Sequence, residues 1–275
     1  MPELPEVETT LRGIKPHILN QTISSVITRK KKLRWPIPPD INQLLTKNCI
    51  KKAERRGKYI LLSTNTGTII LHLGMSGTLK ITDSTTPIEK HDHIDINFAN
   101  NTSLRLNDPR RFGAFLWSCD APESHFLLKN LGPEPLNKEF SDNYLYNKSL
   151  KRKIPVKNFI MNSQIVVGVG NIYANEALFD SKINPQRLAQ NVTQKEYQLL
   201  VKNIKTILKK AIKKGGTTLK DFKDSEGKPG YFSQELQVYG RKGLPCLKCK
   251  TELLEIRLGQ RSTVYCPKCQ PRDEP

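Results

Sequence analysis

The sequence predicts an α+β protein with a β-rich N-terminal part, a helical middle part and a small metal-binding module near its C-terminal end. Short strand-like segments separated by turn signals fill residues 22–118. Helical periodicity follows between Ser141 and about Lys214. Four cysteines then form the pattern C-x2-C-x16-C-x2-C. The chain has 275 residues, which is enough for two domains with a sizeable core.

The N-terminal part is predicted to be one helix followed by an antiparallel sandwich or barrel. The helix begins near Pro5, because Val7, Leu11 and Ile14 are spaced i, i+4, i+7. Short strands at close spacing then favour a sandwich or a barrel. The predicted strands are Thr22–Thr28, Tyr59–Ser63, Thr68–Leu73, Thr78–Thr82, His93–Phe98, Ser103–Leu106 and Ala114–Trp117. The glycine and prolines of residues 131–137 suit a linker after them.

The middle part is predicted to contain at least three helices. Ser141 is the N-cap of a helix through Leu150, and a second helix covers Val156–Asn162. A longer helix starts at Thr193, where Glu196 completes a capping box, and it ends at two glycines after about residue 214. The stretch Asp224–Gly230 is loop-like and leads to the cysteine module.

The composition predicts an intracellular protein that binds nucleic acid. Lys and Arg number 45 against 26 Asp and Glu, so the net charge is +19. Such an excess favours nucleic acid, less often an anionic membrane, and a merely soluble basic protein is the remaining alternative. No run of 18 apolar residues and no signal-peptide pattern is present, so we expect a cytoplasmic protein without a membrane span.

The four-cysteine cluster predicts one structural zinc ion. Each C-x2-C knuckle supplies two thiolates, and four thiolates leave no open position for chemistry. The predicted ligands are Cys246, Cys249, Cys266 and Cys269. Basic residues around them suit contact with phosphates. The two remaining cysteines, Cys49 and Cys119, stand in strand-like segments and are expected to be buried thiols.

Pro2 is a candidate nucleophile. If Met1 is removed, Pro2 carries a free secondary amine that can form a Schiff base with a carbonyl carbon. The reference pKa of an α-amino group, about 7.7–8.0, leaves much of it unprotonated near neutral pH. Glu3 and Glu6 are neighbouring proton carriers. The alternative is an ordinary helix start, where proline and glutamate are common.

Three further segments suggest contacts with a nucleic acid. Glycines around Met75 in residues 72–77 indicate a tight loop, or else a hairpin turn with Met75 in the core. Phe112 beside two arginines in residues 108–113 suits duplex probing during base extrusion, or else a surface turn with a buried Phe112. Gly168 and Gly170 precede a helix start at which Asn171 can approach a phosphate. No βαβ unit surrounds these glycines, so a dinucleotide site is rejected.

With these residues assembled, the chain resembles the bacterial formamidopyrimidine-DNA glycosylases, which are 8-oxoguanine DNA glycosylases and AP lyases. The similarity runs nearly end to end. It includes Met-Pro-Glu-Leu-Pro-Glu-Val-Glu-Thr at 1–9, Arg-Arg-Gly-Lys at 55–58, His-Leu-Gly-Met-Ser-Gly at 72–77, Lys-His-Asp-His at 90–93, Asp-Pro-Arg-Arg-Phe-Gly at 108–113, Leu-Gly-Pro-Glu-Pro-Leu at 131–136, Val-Val-Gly-Val-Gly-Asn-Ile-Tyr at 166–173, Gly-Gly-Thr-Thr-Leu-Lys-Asp-Phe at 215–222, Gly-Lys-Pro-Gly-Tyr-Phe at 227–232 and the cysteine module.

The resemblance implies an α+β multidomain fold: an N-terminal antiparallel β-sandwich with flanking helices, then a C-terminal helix–two-turn–helix domain with a four-cysteine zinc finger. The implied division is a catalytic β-sandwich domain at 2–131, a linker at 132–138, a helical domain at 139–223, a lesion-loop segment at 224–239, a zinc-finger hairpin at 240–270 and a tail at 271–275.

The same resemblance implies a role for each site residue. Pro2 would attack C1′ of the damaged nucleotide, with Glu3 as its acid/base partner, and Lys58 and Arg261 would assist β- and δ-elimination. Because the pKa of arginine exceeds 12, we expect Arg261 first of all to grip a phosphate. The implied DNA contacts are His72, Met75, His91, Arg110, Phe112, Arg152, Lys157 and Asn171.

The predicted function is therefore base-excision repair of oxidised purines in duplex DNA by a monomeric bacterial enzyme. One alternative is an endonuclease VIII-type glycosylase for oxidised pyrimidines. The start Leu4-Pro5 and the full segment at 227–232 favour the purine-acting type. A second alternative is a non-catalytic DNA-binding zinc protein.

Overall fold

The computed structural model describes residues 2–217 and 232–272. The chain divides into two compact units. The first comprises Met1–Asn130 and Lys214–Ser233, and the second comprises Leu131–Lys213 and Gln234–Pro275. Met1, residues 218–223 of the predicted helical domain, residues 224–231 of the lesion-loop segment and the last three residues of the tail lie outside the described residues.

The first unit contains two four-stranded antiparallel sheets. Its elements are helix α1 (Leu4–Ile18), β1 (Ile23–Thr28), helix α2 (Ile41–Leu45), β2 (Lys52–Arg56), β3 (Tyr59–Ser63), β4 (Thr68–His72), β5 (Thr78–Asp83), β6 (Asp92–Phe98), β7 (Thr102–Asn107) and β8 (Ala114–Ser118). The strand orders are β1-β6-β7-β5 and β2-β3-β4-β8. Apolar side chains from both sheets share one buried cluster with α1, so the structure is the sandwich rather than the barrel.

The second unit is mainly helical and ends in a β-hairpin. Its elements are α3 (Asp142–Ser149), α4 (Val156–Met161), α5 (Asn171–Asp180), α6 (Gln194–Lys213), β9 (Leu254–Leu258) and β10 (Arg261–Tyr265). Its helix starts follow the predicted caps. The Tyr144 amide donates to Ser141 Oγ at 3.2 Å, and the Thr193 amide donates to the Glu196 carboxylate at 2.8 Å. A small apolar cluster joins α5 to the cysteine module.

The predicted fold class is confirmed, with three differences in detail. Strand β2 and helix α2 were not predicted. The expectation that Cys119 is a buried thiol was wrong, because β8 ends at Ser118 and Cys119 is exposed; Cys49 is half-buried. Among the described helices, none is long and apolar enough to cross a membrane.

Candidate DNA-repair site

The N-terminal residues of the first unit are fixed by a buried carboxylate. The Glu3 amide donates to Glu6 Oε2 at 2.8 Å, and this bond closes the capping box of α1. The other oxygen of Glu6 accepts from the Thr217 amide at 2.8 Å. Pro2 and Glu3 are buried directly before the helix. Glu6 therefore holds the candidate nucleophile segment against residues 216–217, a role that sequence analysis did not assign to it.

Lys58 and His72 come together at one end of the second sheet. His72 is the last residue of β4 and pairs with Tyr59, which directly follows Lys58. Burial, followed by the positive charges of Lys58 and Arg34, lowers the pKa of His72 to about 4. His72 Nδ1 accepts the Gly74 amide at 2.9 Å, so the proton of the neutral ring lies on Nε2. His72 is thus a neutral donor, which suits a phosphate oxygen.

The two loops that carry Met75, Arg110 and Phe112 pack tightly together. Gly74 has φ +62°, and a Cβ built on it would lie 2.4 Å from the carbonyl carbon of Phe112. The guanidinium carbon of Arg110 lies 5.1 Å from the centre of the Phe112 ring. Phe112 is 44% exposed, so the alternative of a surface turn with a buried Phe112 was wrong. Met75 is half-buried.

His91 is hydrogen-bonded through its backbone to the start of the loop that carries Arg110 and Phe112. Its carbonyl accepts the Asp108 amide at 3.0 Å, and its ring centre lies 6.4 Å from that of the buried His93. The bond between the Asp108 amide and the His91 carbonyl therefore connects the segment of His91 to the start of the loop that carries Arg110 and Phe112, and the Asp108 side chain is buried there.

In the second unit, α4 and α5 hold the strand that begins with Arg261. Asn171 Nδ2 donates to the Ser262 carbonyl at 3.0 Å. Lys157 Nζ donates to the same carbonyl at 3.0 Å and to Thr263 Oγ1 at 2.6 Å. Asn175, which sequence analysis missed, accepts the amide of Val264 at 2.9 Å. These bonds fix the hairpin against the helices.

Lys157 makes a structural contact that sequence analysis did not predict, while its predicted DNA contact stays a prediction. The resemblance implied a DNA contact, but the side chain is 0% exposed and its ammonium group donates to the hairpin strand. In this conformation Lys157 supports the strand that carries Arg261 and does not offer a surface charge. Arg261 and Arg152 are both exposed.

The four cysteines form a site that fits zinc. Their sulfur atoms all lie within 4.8 Å of one another. The Sγ–Sγ distance is 4.0 Å for Cys246 and Cys269 and 3.4 Å for Cys249 and Cys266. Four ligands at a Zn–S distance of about 2.3 Å in a tetrahedron require sulfur atoms about 3.8 Å apart. All-thiolate coordination leaves no open position, which is typical of a structural site.

Glu176 is a further buried acid that sequence analysis did not single out. It is 2% exposed on α5, and its carboxylate accepts the backbone amides of Gln237, Val238 and Tyr239 at 2.8–3.0 Å. Burial raises the pKa of Glu176, and the three backbone amides oppose that shift. Glu176 therefore anchors the segment that enters the cysteine module.

A basic chain with a β-sandwich, a helical unit and a zinc-binding hairpin defines a nucleic-acid-binding zinc protein. Comparison with known families narrows this class. Residues 1–115 match the formamidopyrimidine-DNA glycosylase N-terminal domain, residues 131–223 match its H2TH domain, and residues 243–272 match the zinc finger found in FPG and IleRS. The zinc-finger match and the cysteine geometry together show one structural zinc site.

Individual relatives match over the whole chain. The formamidopyrimidine-DNA glycosylase of Photobacterium damsela subsp. piscicida is 55% identical over 98% of this chain and 100% of its own. Two solved structures of Lactococcus lactis Fpg are similar, one of a mutant in complex with Fapy-dG-containing DNA and one in complex with abasic-site DNA. They share 32% and 33% identity with this chain, each with a TM-score of 0.90, and cover 98% of this chain and 100% of their own. The chain belongs to the formamidopyrimidine-DNA glycosylase family, whose members are bifunctional glycosylases and AP lyases.

Proposed function

We propose that this chain is a base-excision repair enzyme that removes oxidised purines from duplex DNA and then cuts the abasic site. The full-length similarity to formamidopyrimidine-DNA glycosylases carries this proposal. The relatives solved with Fapy-dG-containing DNA and with abasic-site DNA support the two stages of the reaction. The net charge of +19 suits a polyanionic substrate, and affinity should fall as salt rises.

The chemistry begins at Pro2. Its unprotonated nitrogen bonds to C1′, and the bond from C1′ to the base breaks with its electron pair leaving on the base. Glu3 carries the proton from the Pro2 nitrogen to O4′ as the sugar ring opens, which leaves a Schiff base. Glu6 supports this role, because it fixes the Glu3 backbone by a bond of 2.8 Å.

Elimination follows from the Schiff base. Its positive nitrogen acidifies the C2′ proton, so loss of that proton expels the 3′ phosphate; loss of a C4′ proton then expels the 5′ phosphate. Water releases the sugar fragment from Pro2. Lys58 assists the first elimination, and Arg261 grips a phosphate and assists the second. Zinc holds the hairpin that carries Arg261.

The other predicted contact residues bind different parts of the DNA. His72 and Asn171 bind phosphates around the extruded nucleotide, and His91 and Arg152 bind the backbone. Met75, Arg110 and Phe112 fill the vacated stack, with Arg110 facing the orphan base. The enzyme acts as a monomer in the bacterial cytoplasm, associated with the nucleoid through its DNA.

Borohydride trapping tests the nucleophile. The chain with Met1 removed is incubated with 8-oxoguanine duplex and borohydride, and peptide mass mapping should locate the adduct on Pro2. A matched chain that retains one extra residue before Pro2 should bind the duplex with similar affinity and give no adduct. An adduct on another residue, or equal trapping by the extended chain, would overturn the assignment. No adduct with either chain would favour the non-catalytic DNA-binding alternative.

Substrate comparison tests the lesion class. Single-turnover excision is measured on matched duplexes that carry 8-oxoguanine or thymine glycol. The proposal expects faster release of 8-oxoguanine. Faster release of thymine glycol would instead favour the endonuclease VIII-type alternative.

A further inference from the structure

Asp108 has a fully buried carboxylate that links two loops of the first unit, residues 72–77 and residues 108–113. It is 0% exposed. Its Oδ1 accepts from Ser76 Oγ at 2.8 Å, and its Oδ2 accepts from the Gly113 amide at 2.8 Å. One carboxylate thus holds the loop that carries Met75 and the loop that carries Phe112. Burying a carboxylate is unfavourable unless hydrogen bonds compensate it, and here each oxygen receives a donor from a different loop.

Ser76 is the second member of this link. It is 8% exposed, and its hydroxyl donates to Asp108 while accepting the Arg110 amide at 3.2 Å. The backbone of Arg110 is therefore fixed through the opposite loop. A hydroxyl suits this position because it can donate and accept at once.

The backbone of Asp108 extends the same link. Its amide donates to the His91 carbonyl at 3.0 Å, and its carbonyl accepts from the Arg111 amide at 3.2 Å and from His93 Nε2 at 2.9 Å. These bonds connect Asp108, the first residue of the loop that carries Phe112, to the segment of His91 and His93. Asp108 is thus connected to each loop that bears a predicted stacking or orphan-base contact.

We propose that Asp108 and Ser76 are positioning residues for base extrusion, which hold Met75, Arg110 and Phe112 as one preformed wedge. This inference rests on the proposed glycosylase function. A wedge that is ordered before DNA arrives loses little conformational freedom when it enters the stack, so more of the binding free energy remains for unstacking the lesion. Neither residue touches the reacting atoms.

The wedge matters most when a paired base must leave the stack. An 8-oxoguanine opposite cytosine must be unpaired and extruded, whereas an abasic site has no base to extrude. Loosening the wedge should therefore slow glycosylase action on the first substrate far more than lyase action on the second. A general loss of folded protein would slow both equally.

Ser76→Ala is the sharpest variant, because it removes one hydroxyl and nothing else. Ser103→Ala is the matched control: Ser103 is a buried serine of the same unit, and its hydroxyl has no hydrogen-bond partner among the described residues. Single-turnover rates are measured for 8-oxoguanine release and for abasic-site cleavage. Since displacement of a positioned group by about 1 Å can reduce rates roughly 100-fold, we expect Ser76→Ala to slow base release by about 10- to 100-fold. Abasic cleavage should change less than about 3-fold, and Ser103→Ala should leave both rates unchanged.

A double-mutant cycle with Phe112→Ala separates positioning from stability. If Ser76 acts through the wedge, its removal should slow base release by less than about 2-fold once Phe112 is already absent. Asp108→Asn, which keeps the shape and removes the charge, should follow the same pattern if it folds. Equal slowing on both DNA substrates, or full multiplicative effects in the Phe112→Ala background, would overturn the inference. If wild-type protein releases no base at all, the proposed function fails instead, so the two failures are distinguishable.

Discussion

Substitution of Gly74 should destabilise the first unit well beyond the effect of its backbone conformation alone. In Gly74→Ala the new Cβ would lie 2.4 Å from the carbonyl carbon of Phe112 and 2.5 Å from the nitrogen of Gly113. Optimal contact between carbon atoms is about 3.5–4.0 Å, so the two loops must separate by about 1 Å. Gly113 resists this movement, because its amide binds Asp108 and its carbonyl accepts the Arg34 amide at 3.0 Å.

The expected loss of unfolding free energy is the sum of a conformational cost and a packing cost. Alanine at φ +62° costs about 1 kcal/mol, and overpacking a fixed backbone adds about 1–3 kcal/mol. We therefore expect Gly74→Ala to lower the free energy of unfolding by about 2–4 kcal/mol. Gly215→Ala is the matched control: Gly215 has φ +74° with no atom within 4 Å of its built Cβ, so only the conformational term of about 1 kcal/mol applies.

Urea unfolding followed by tryptophan fluorescence measures this difference. The two tryptophans of the chain, Trp35 and Trp117, both lie in the first unit, so their signal reports on that unit. Equal losses in Gly74→Ala and Gly215→Ala would refute the argument, because they would show that the loops separate without resistance.

Three further predictions concern protonation, the buried lysine and zinc. The pKa of His72 is about 4 in the folded chain and about 6.5 in the unfolded chain. Between these two values the unfolded chain binds more protons, so the free energy of unfolding falls as the pH falls. Above about pH 6.5 both states carry a neutral His72, and the stability no longer depends on its protonation. In His72→Gln the slope of stability against pH between 4 and 6.5 should flatten, and urea unfolding at pH 7 and pH 4.5 checks this against wild type. Lys157→Met should destabilise the packing of the hairpin by about 1–3 kcal/mol, which is measured as faster hydrogen exchange at the Val264 amide. The slope of log affinity for DNA against log salt concentration should stay unchanged, whereas loss of a phosphate contact would lower that slope by about 1. Chelation of zinc should expose residues 240–272 to proteolysis and reduce DNA affinity until zinc is restored; full affinity in zinc-free protein would contradict this.

Local signals predicted most of the elements. The capping residues Ser141 and Thr193 start their helices as expected, because a cap and its partner lie within three residues of each other. Strand β2 escaped prediction because its residues are mostly charged and Ala53 is the residue that it buries. Helix α2 is only five residues long, which is too short for a periodic pattern.

The links that organise the site could not be predicted in this way. Glu6 bonds to an amide 211 positions away, and Ser76 bonds to a carboxylate 32 positions away. A single sequence contains no periodicity that pairs such residues. Lys157 shows a second limit: residue type favours exposure for lysine, whereas the packing of α4 against the hairpin buries it completely.

The hydrogen bonds that hold β10 against the helices have a consequence for how the hairpin sequence can change. The bonds from Lys157 and Asn171 to the Ser262 carbonyl, and from the Val264 amide to Asn175, engage main-chain atoms. Main-chain atoms are the same for almost every amino acid. The exposed side chains of the strand can therefore diverge among related proteins, or be replaced by a designer, while the path of the backbone and the position of Arg261 stay the same.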